Sequence, residues 1–282
     1  MRYTNNFNLP DAICNAIIND EYNKGDADYS ITQLLKPPLM VQLEKRYDDQ
    51  IVVDVSESIW ALMGKSVHYI LEKGASNKVV AEERLYANVG DFKISGAIDW
   101  FDENLLQDYK VTSSWNIVYG SPDKDWKEQT NYYRWLLHQN GFKDINKLQV
   151  VAILRDWKKN EAMRNKEYPQ RQVQTIDIEV MDMRQTEHDL RNRVFIHSGS
   201  EGVDINKVPP CTPKERWETQ TKYAVMRKGR KSAVKLFDDE SEANDKLNEL
   251  KGHYVEKRPG ERKRCSLYCR CAPYCPVYKE NK

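Results

Sequence analysis

The chain has 282 residues, 31% of them charged and 40% hydrophobic, with 44 Lys and Arg against 43 Asp and Glu. It contains no apolar run of about 18 residues, which excludes a predicted transmembrane helix, and its polar first thirty residues lack the apolar core of a secretory signal. The expected setting is therefore cytoplasmic and reducing, where a disulfide framework is not expected of its six cysteines. The charge is uneven. Residues 205–282 hold 19 Lys and Arg against 11 Asp and Glu, a net +8, and the rest of the chain carries −7. A basic C-terminal part suits phosphate contacts.

Residues 1–55 read as a polar N-terminal segment leading into a helix near Gln33 to Arg46. An α/β core is expected from about 56 to 198. Its first helix repeats apolar residues at Ile59, Leu62, Met63, Val67, Ile70 and Leu71 and carries Gly64-Lys-Ser-Val-His68. Strands follow near Val79–Tyr86, Asp91–Phe101 and Leu105–Thr112. A helix is expected over Lys124–Gln139, with Gln129 and Tyr133 on one face. Strands at Lys147–Trp157 and Val173–Val180 and a helix at Met183–His197 close the core. Gly199 to Pro213 reads as a linker. Residues 199–282 then combine a small ββα unit (Tyr223–Met226, Ala233–Phe237, Glu240–Leu250), a further strand at His253–Glu256, and a cysteine-rich end.

Two constellations bear chemistry. Asp99 ends one apolar strand. On the next, Asp108 and Lys110 are two apart and share a face. Paired carboxylates suit a hard divalent cation, and a lysine beside them can orient a water for metal-assisted phosphodiester hydrolysis. Alone, this is also how a solvated acidic hairpin looks. The second constellation is Cys265-x3-Cys269-x-Cys271-x3-Cys275. Clustered thiols in a reducing setting point to a metal, and four thiolates suit either zinc or an iron–sulfur cluster.

The ordered series Gly64-x3-His68, Glu82, Gly96-x-x-Asp99, Asp108-x-Lys110 and Gln129-x3-Tyr133 resembles the RecB-type branch of the PD-(D/E)xK nuclease superfamily, over roughly residues 30–157. The resemblance implies a restriction-endonuclease-like fold, a central mixed sheet flanked by helices, with a small cysteine-stapled α+β appendage. It implies Mg2+ or Mn2+ held by His68, Asp99, Asp108 and the Tyr109 carbonyl. Lys110 would position the attacking water and Glu82 a metal-bound water or second ion, with Glu83 as the alternative to Glu82. Gln129 and Tyr133 would bind the DNA backbone or brace Lys110. Relatives of this type also hold a [4Fe-4S] cluster on one remote and three C-terminal cysteines. Cys269-x5-Cys275 matches that spacing, and Cys265-x3-Cys269 is one residue longer than the common form. No cysteine stands in Ile31–Pro38, where the remote ligand is expected, and Cys14 lies upstream in another context. Cys211, between prolines in Pro209-Pro-Cys-Thr-Pro213, is the expected fourth ligand and Cys271 is expected to be free, with structural zinc as the alternative to the cluster. The implied activity is that of a DNA nuclease, an exonuclease of recombination, repair or replication of the kind phages encode. DNA, with a recombination or annealing protein, would be its partner. The alternatives are an inactive nuclease fold that binds nucleic acid or inhibits a partner, and a zinc-binding interaction protein.

Overall fold

A computed structural model describes residues 1–20, 24–75, 80–119 and 123–279. In chain order the elements are β1 (Arg2–Thr4), α1 (Asp11–Ile18), β2 (Tyr29–Ser30), α2 (Ile31–Leu34), α3 (Pro38–Arg46), β3 (Val52–Asp54), α4 (Ile59–Gly74), β4 (Val80–Val89), β5 (Phe92–Asp102), β6 (Leu105–Thr112), α5 (Ser114–Val118), α6 (Asp123–Gln139), β7 (Lys147–Leu154), α7 (Lys159–Arg164), β8 (Val173–Ile178), α8 (Met183–Gly199), β9 (Lys222–Arg227), β10 (Lys235–Phe237), α9 (Glu240–Asn248), β11 (His253–Arg258), α10 (Lys263–Leu267) and α11 (Pro276–Lys279).

The architecture is mixed α/β, with a central mixed sheet flanked by helices. Its strands run β2-β5-β6-β7-β8, and β4 pairs with β5. β6 and β7 are parallel, while β4–β5, β5–β6 and β7–β8 are antiparallel. One main core joins sheet and helices, with Trp135, Leu136 and Leu137 of α6 against Ile94, Ile98, Leu106 and Val150. Gly96 permits the close approach of α6, because a Cβ there would meet Tyr133 Cε1 at 2.8 Å and Leu136 Cδ2 at 3.0 Å. A separate three-stranded sheet, β10-β9-β11, is packed on α9.

Several expectations change. The single helix expected over Gln33–Arg46 is two, α2 and α3, broken at Pro37-Pro38. Proline lacks the amide a helix interior needs and disfavours helical backbone in the residue before it. Pro38 instead takes a position at the start of α3. The polar N-terminus supplies β1, α1 and β3, and β1 and β3 form a parallel pair. β4 runs on to Val89, three residues beyond the expected end, and Val79 lies outside the described residues. The apolar stripe of α4 enters a core only at its start, where Ile59 and Leu62 pack on Cys14, Ile17 and Val55. No residue of that helix is fully buried, and Met63 and Ile70 are 40% and 66% exposed. The chain ends are not independent segments either. Leu39, Leu43, Ile51 and Val53 share a second core with Val208 and Cys271, against which Cys211, Cys269 and Cys275 pack. The expected linker is tied into this region by Val208 and by a bond from the Arg46 guanidinium to the Val203 carbonyl. No helix among the described residues is long and apolar enough to cross a membrane.

Candidate active site

The site lies where β5 and β6 part. The two strands are paired from Asp102↔Leu105 to Trp100↔Gln107. The next position in that register would set Asp99 against Asp108, and there the ladder stops. The Tyr109 amide donates to Asp99 Oδ2 at 2.7 Å, so a carboxylate takes the place of a backbone partner. On the other side of β5, the ladder with β4 pairs Ala81↔Trp100 and Glu83↔Ile98 but skips Glu82 and Asp99. Glu82 has φ of +50°. That left-handed conformation costs a non-glycine residue on the order of 1 kcal/mol or more, and such residues concentrate at functional sites. It turns Glu82 toward α4 while Glu83 is exposed to solvent. Of the two adjacent glutamates, Glu82 is the one at the site.

α4 packs on β4 and β6 and brings His68 over the gap. His68 Nδ1 lies 2.8 Å from Glu82 Oε1 and 3.5 Å from Asp99 Oδ1. Its Nε2 lies 3.1 Å from the Tyr109 carbonyl. Both short contacts are hydrogen bonds at once only when both ring nitrogens carry protons, and the bond to Glu82 holds the His68 pKa above its ordinary value. The partner is thus Glu82 on the sheet. Burial, with Asp108 as a like charge nearby, pushes the Asp99 pKa up to about 7. Asp108 is 1% exposed, and neither carboxylate oxygen accepts a well-formed hydrogen bond, although Lys110 Nζ stands 2.6 Å from Oδ2.

Two buried carboxylates this close, one of them short of hydrogen bonds, call for a cation. Among the described residues, only His68, Glu82 and Asp99 bring three candidate ligand atoms within 4.8 Å of one another. Neighbouring ligands on an octahedral ion with bonds of about 2.05 Å sit about 2.9 Å apart. The 2.8 and 3.1 Å contacts of His68 are of that size. The donor set of imidazole, carboxylates and a carbonyl suits Mg2+ or Mn2+. Asp108 is outside the tightest trio and is held by Lys110 instead. Gln129 Nε2 donates to Tyr133 Oη at 3.0 Å, and the Tyr133 ring lies against Gly96 on β5. These two expected residues therefore form a pair on α6.

The second expected constellation is in the C-terminal part. Cys211, Cys265 and Cys275 line one small cavity of ≈ 20 Å³ with Arg216, Arg262 and Leu39. Burial pushes the Cys211 thiol up to about 12, helped by Glu215 and by the neighbouring Cys275, Cys269 and Cys265. A hydrogen bond from Cys271 holds Cys269 at about 6. Cys271, expected to be free, is fully buried beside Cys269.

No family model and no curated protein matches the chain. Among solved structures, one titled "Crystal structure of SSO0001" is similar, with a TM-score of 0.46 and 19% identity over 65% of this chain and 84% of that one.

Proposed function

We propose that the chain is a divalent-metal-dependent DNA nuclease of the RecB type in the PD-(D/E)xK superfamily, and that it acts as an exonuclease. One observation carries the reading. His68, Glu82, Asp99, the Tyr109 carbonyl, Asp108 and Lys110 converge at the open fork of β5 and β6. These are the metal-binding and lysine positions that the sequence resemblance names, while its Gln129 and Tyr133 form a pair of their own on α6. Mg2+ or Mn2+ in this site would lower the pKa of a bound water and offset negative charge at the phosphate. His68, Asp99, Asp108 and the Tyr109 carbonyl would hold the ion, and Glu82 a metal-bound water or a second ion.

The chain's own residues do the rest. Lys110, anchored by Asp108, aims the attacking water at phosphorus. Glu82, on the outer side of His68, accepts the water's proton directly or through a neighbouring water. The Lys110 ammonium also faces negative charge growing on a non-bridging phosphate oxygen, and as the phosphorus–oxygen bond breaks the leaving sugar oxygen takes its proton from solvent water. His68 gives up one ring proton when it becomes a ligand, so metal binding releases a proton. End-labelled single- and double-stranded DNA, incubated with Mn2+ or Mg2+ and followed by product length, tests this. Single-nucleotide or short products appearing from one end support the exonuclease reading. No cleavage with either ion would end it.

A second, structural metal centre is part of the reading. Cys211, Cys265, Cys269 and Cys275 would hold a [4Fe-4S] cluster, with zinc as the alternative. Such a centre would tie Cys211 to the chain's last turns across the ββα unit, acting as a staple.

A further inference from the structure

At the C-terminal end of β6, the strand that carries Asp108 and Lys110, lies a surface of aromatic side chains that no core uses. Trp60 on α4 is 57% exposed, and Trp115 and Tyr119 at α5 are 48% and 80% exposed. Trp115 and Tyr119 stack with ring centroids 5.4 Å apart and planes 5° apart. The Arg155 guanidinium lies 4.4 Å over the Trp60 ring. The two groups are joined through the end of β6, where the Arg155 amide donates to the Thr112 carbonyl at 3.0 Å. Thr112 lies about 7 Å along the strand from Lys110, and Trp60 about 12 Å along the helix from His68.

The platform is rigid at its base. Asp156 accepts from Ser113 Oγ and from the Ser114 amide, both at 2.6 Å, fixing the start of α5. Buried Tyr168 donates to Ser114 Oγ at 3.0 Å and meets the edge of the Trp115 ring. Charge adds to it. Residues 155–166 hold five cations, all exposed, against two carboxylates, and Asp156 is one of those two, already engaged with α5.

Exposed flat rings beside a cationic strip are what unpaired bases bind. Every base has a face to stack, and the backbone needs positive charge along its path. A duplex hides its base faces and offers only phosphates to such a surface. We propose that Trp60, Trp115 and Tyr119, with Arg155, form a stacking track for single-stranded DNA that leads to the fork. The choice of DNA rests on the nuclease reading above, and the track adds the strand state.

The test measures binding without cleavage. Fluorescence anisotropy of labelled oligothymidine, and of a duplex of equal length, is followed in EDTA with the full chain. Trp60→Ala and Trp115→Ala should each weaken oligothymidine binding by about five- to 150-fold, the range for one lost base–aromatic stack, with duplex binding changed less than twofold. Trp115→Phe, which keeps a ring, should recover most of the loss. Tyr119→Ala, at the most exposed position, should weaken binding with no change in melting temperature. The track is overturned if all three alanine variants bind oligothymidine like the parent, or if duplex binding falls equally. Should no metal support cleavage while the binding pattern holds, the track stands and the nuclease reading falls. Should cleavage proceed while the variants bind as the parent does, the track falls alone.

Discussion

Glu82 and Asp99 face each other across β4 and β5 at a position where the ladder makes no pair. The backbone gives up regular pairing there, with Glu82 at φ +50°, and both carboxylates meet His68. Local strain at this point is a cost that a bound cation would offset through the charges it gathers.

That arrangement fixes a pH dependence. The Asp99 pKa rises from an ordinary 3.8 to about 7 in the folded chain, so the native state holds more protons than the unfolded one between those values. Stability without metal must therefore fall as pH rises through that window. His68 acts in the same direction. Its raised pKa gives stability that is present below the unfolded value of 6.5 and lost as pH climbs through the folded one. Melting in EDTA should show a lower Tm at pH 8 than at pH 5.5. Added Mn2+ should raise Tm more at pH 8, where fewer protons compete with the ion for His68 and Asp99. A metal-induced rise that is equal at both pH values would refute the linkage.

Metal choice follows from the donors. One imidazole among oxygen ligands favours Mn2+ over Mg2+ in affinity, and Mn2+ should support cleavage at least as well. Ca2+ should compete for the site yet support little cleavage, since its looser geometry positions water poorly. Full activity in EDTA would contradict the assignment of these residues.

Gly96 predicts a packing defect. Gly96→Ala sets a Cβ into the Tyr133 ring and Leu136. Both are buried core side chains, so α6 must shift, at a cost of about 1–3 kcal/mol. Urea unfolding should show it. The displaced Gln129–Tyr133 pair should also lower activity if it serves the site, and unchanged activity in a destabilised variant would leave that pair a packing element.

The legible parts of the sequence were those where period and punctuation agree. The strands carrying Asp99, Asp108 and Lys110, and helices α6 and α8, stand within a few residues of expectation, because alternation and helical spacing are local signals. Glu82 could not be told from Glu83, since the φ at Glu82 defeats strand alternation. The apolar stripe of α4 is packed at Ile59 and Leu62 and exposed at Met63 and Ile70, because spacing alone cannot say how much of a stripe a core covers. Pro37 and Pro38 break the helix between Gln33 and Arg46, a signal that is local and present in the sequence. The shared core of Leu39, Ile51, Val208 and Cys271 was invisible, since contacts between distant segments leave no periodic trace.

For the thiols, metal affinity at such a site is also folding free energy. Cys211→Ser, Cys265→Ser, Cys269→Ser and Cys275→Ser should each lower Tm, more than Cys14→Ser does. Cys271→Ser should also destabilise, because Cys271 is fully buried in the second core. Anaerobically purified protein should be brown, absorbing near 400 nm (roughly, as for thiolate-bound iron). Colourless protein with one zinc per chain would replace the cluster. Protein with neither metal, equally stable after Cys269→Ser, would remove the staple.

The most direct test of the central claim is cleavage of end-labelled DNA in Mn2+ by the parent, Asp108→Asn and Lys110→Ala, with Tm measured on each. Asp108→Asn removes the like charge beside Asp99 but also the partner of Lys110, so the metal-free Tm of each variant serves to show that it remains folded. Both variants should lose cleavage by a factor on the order of 10²–10³ or more, as expected when positioned charge is removed from a site of this kind. Folded variants that cleave at near the parent rate would contradict it.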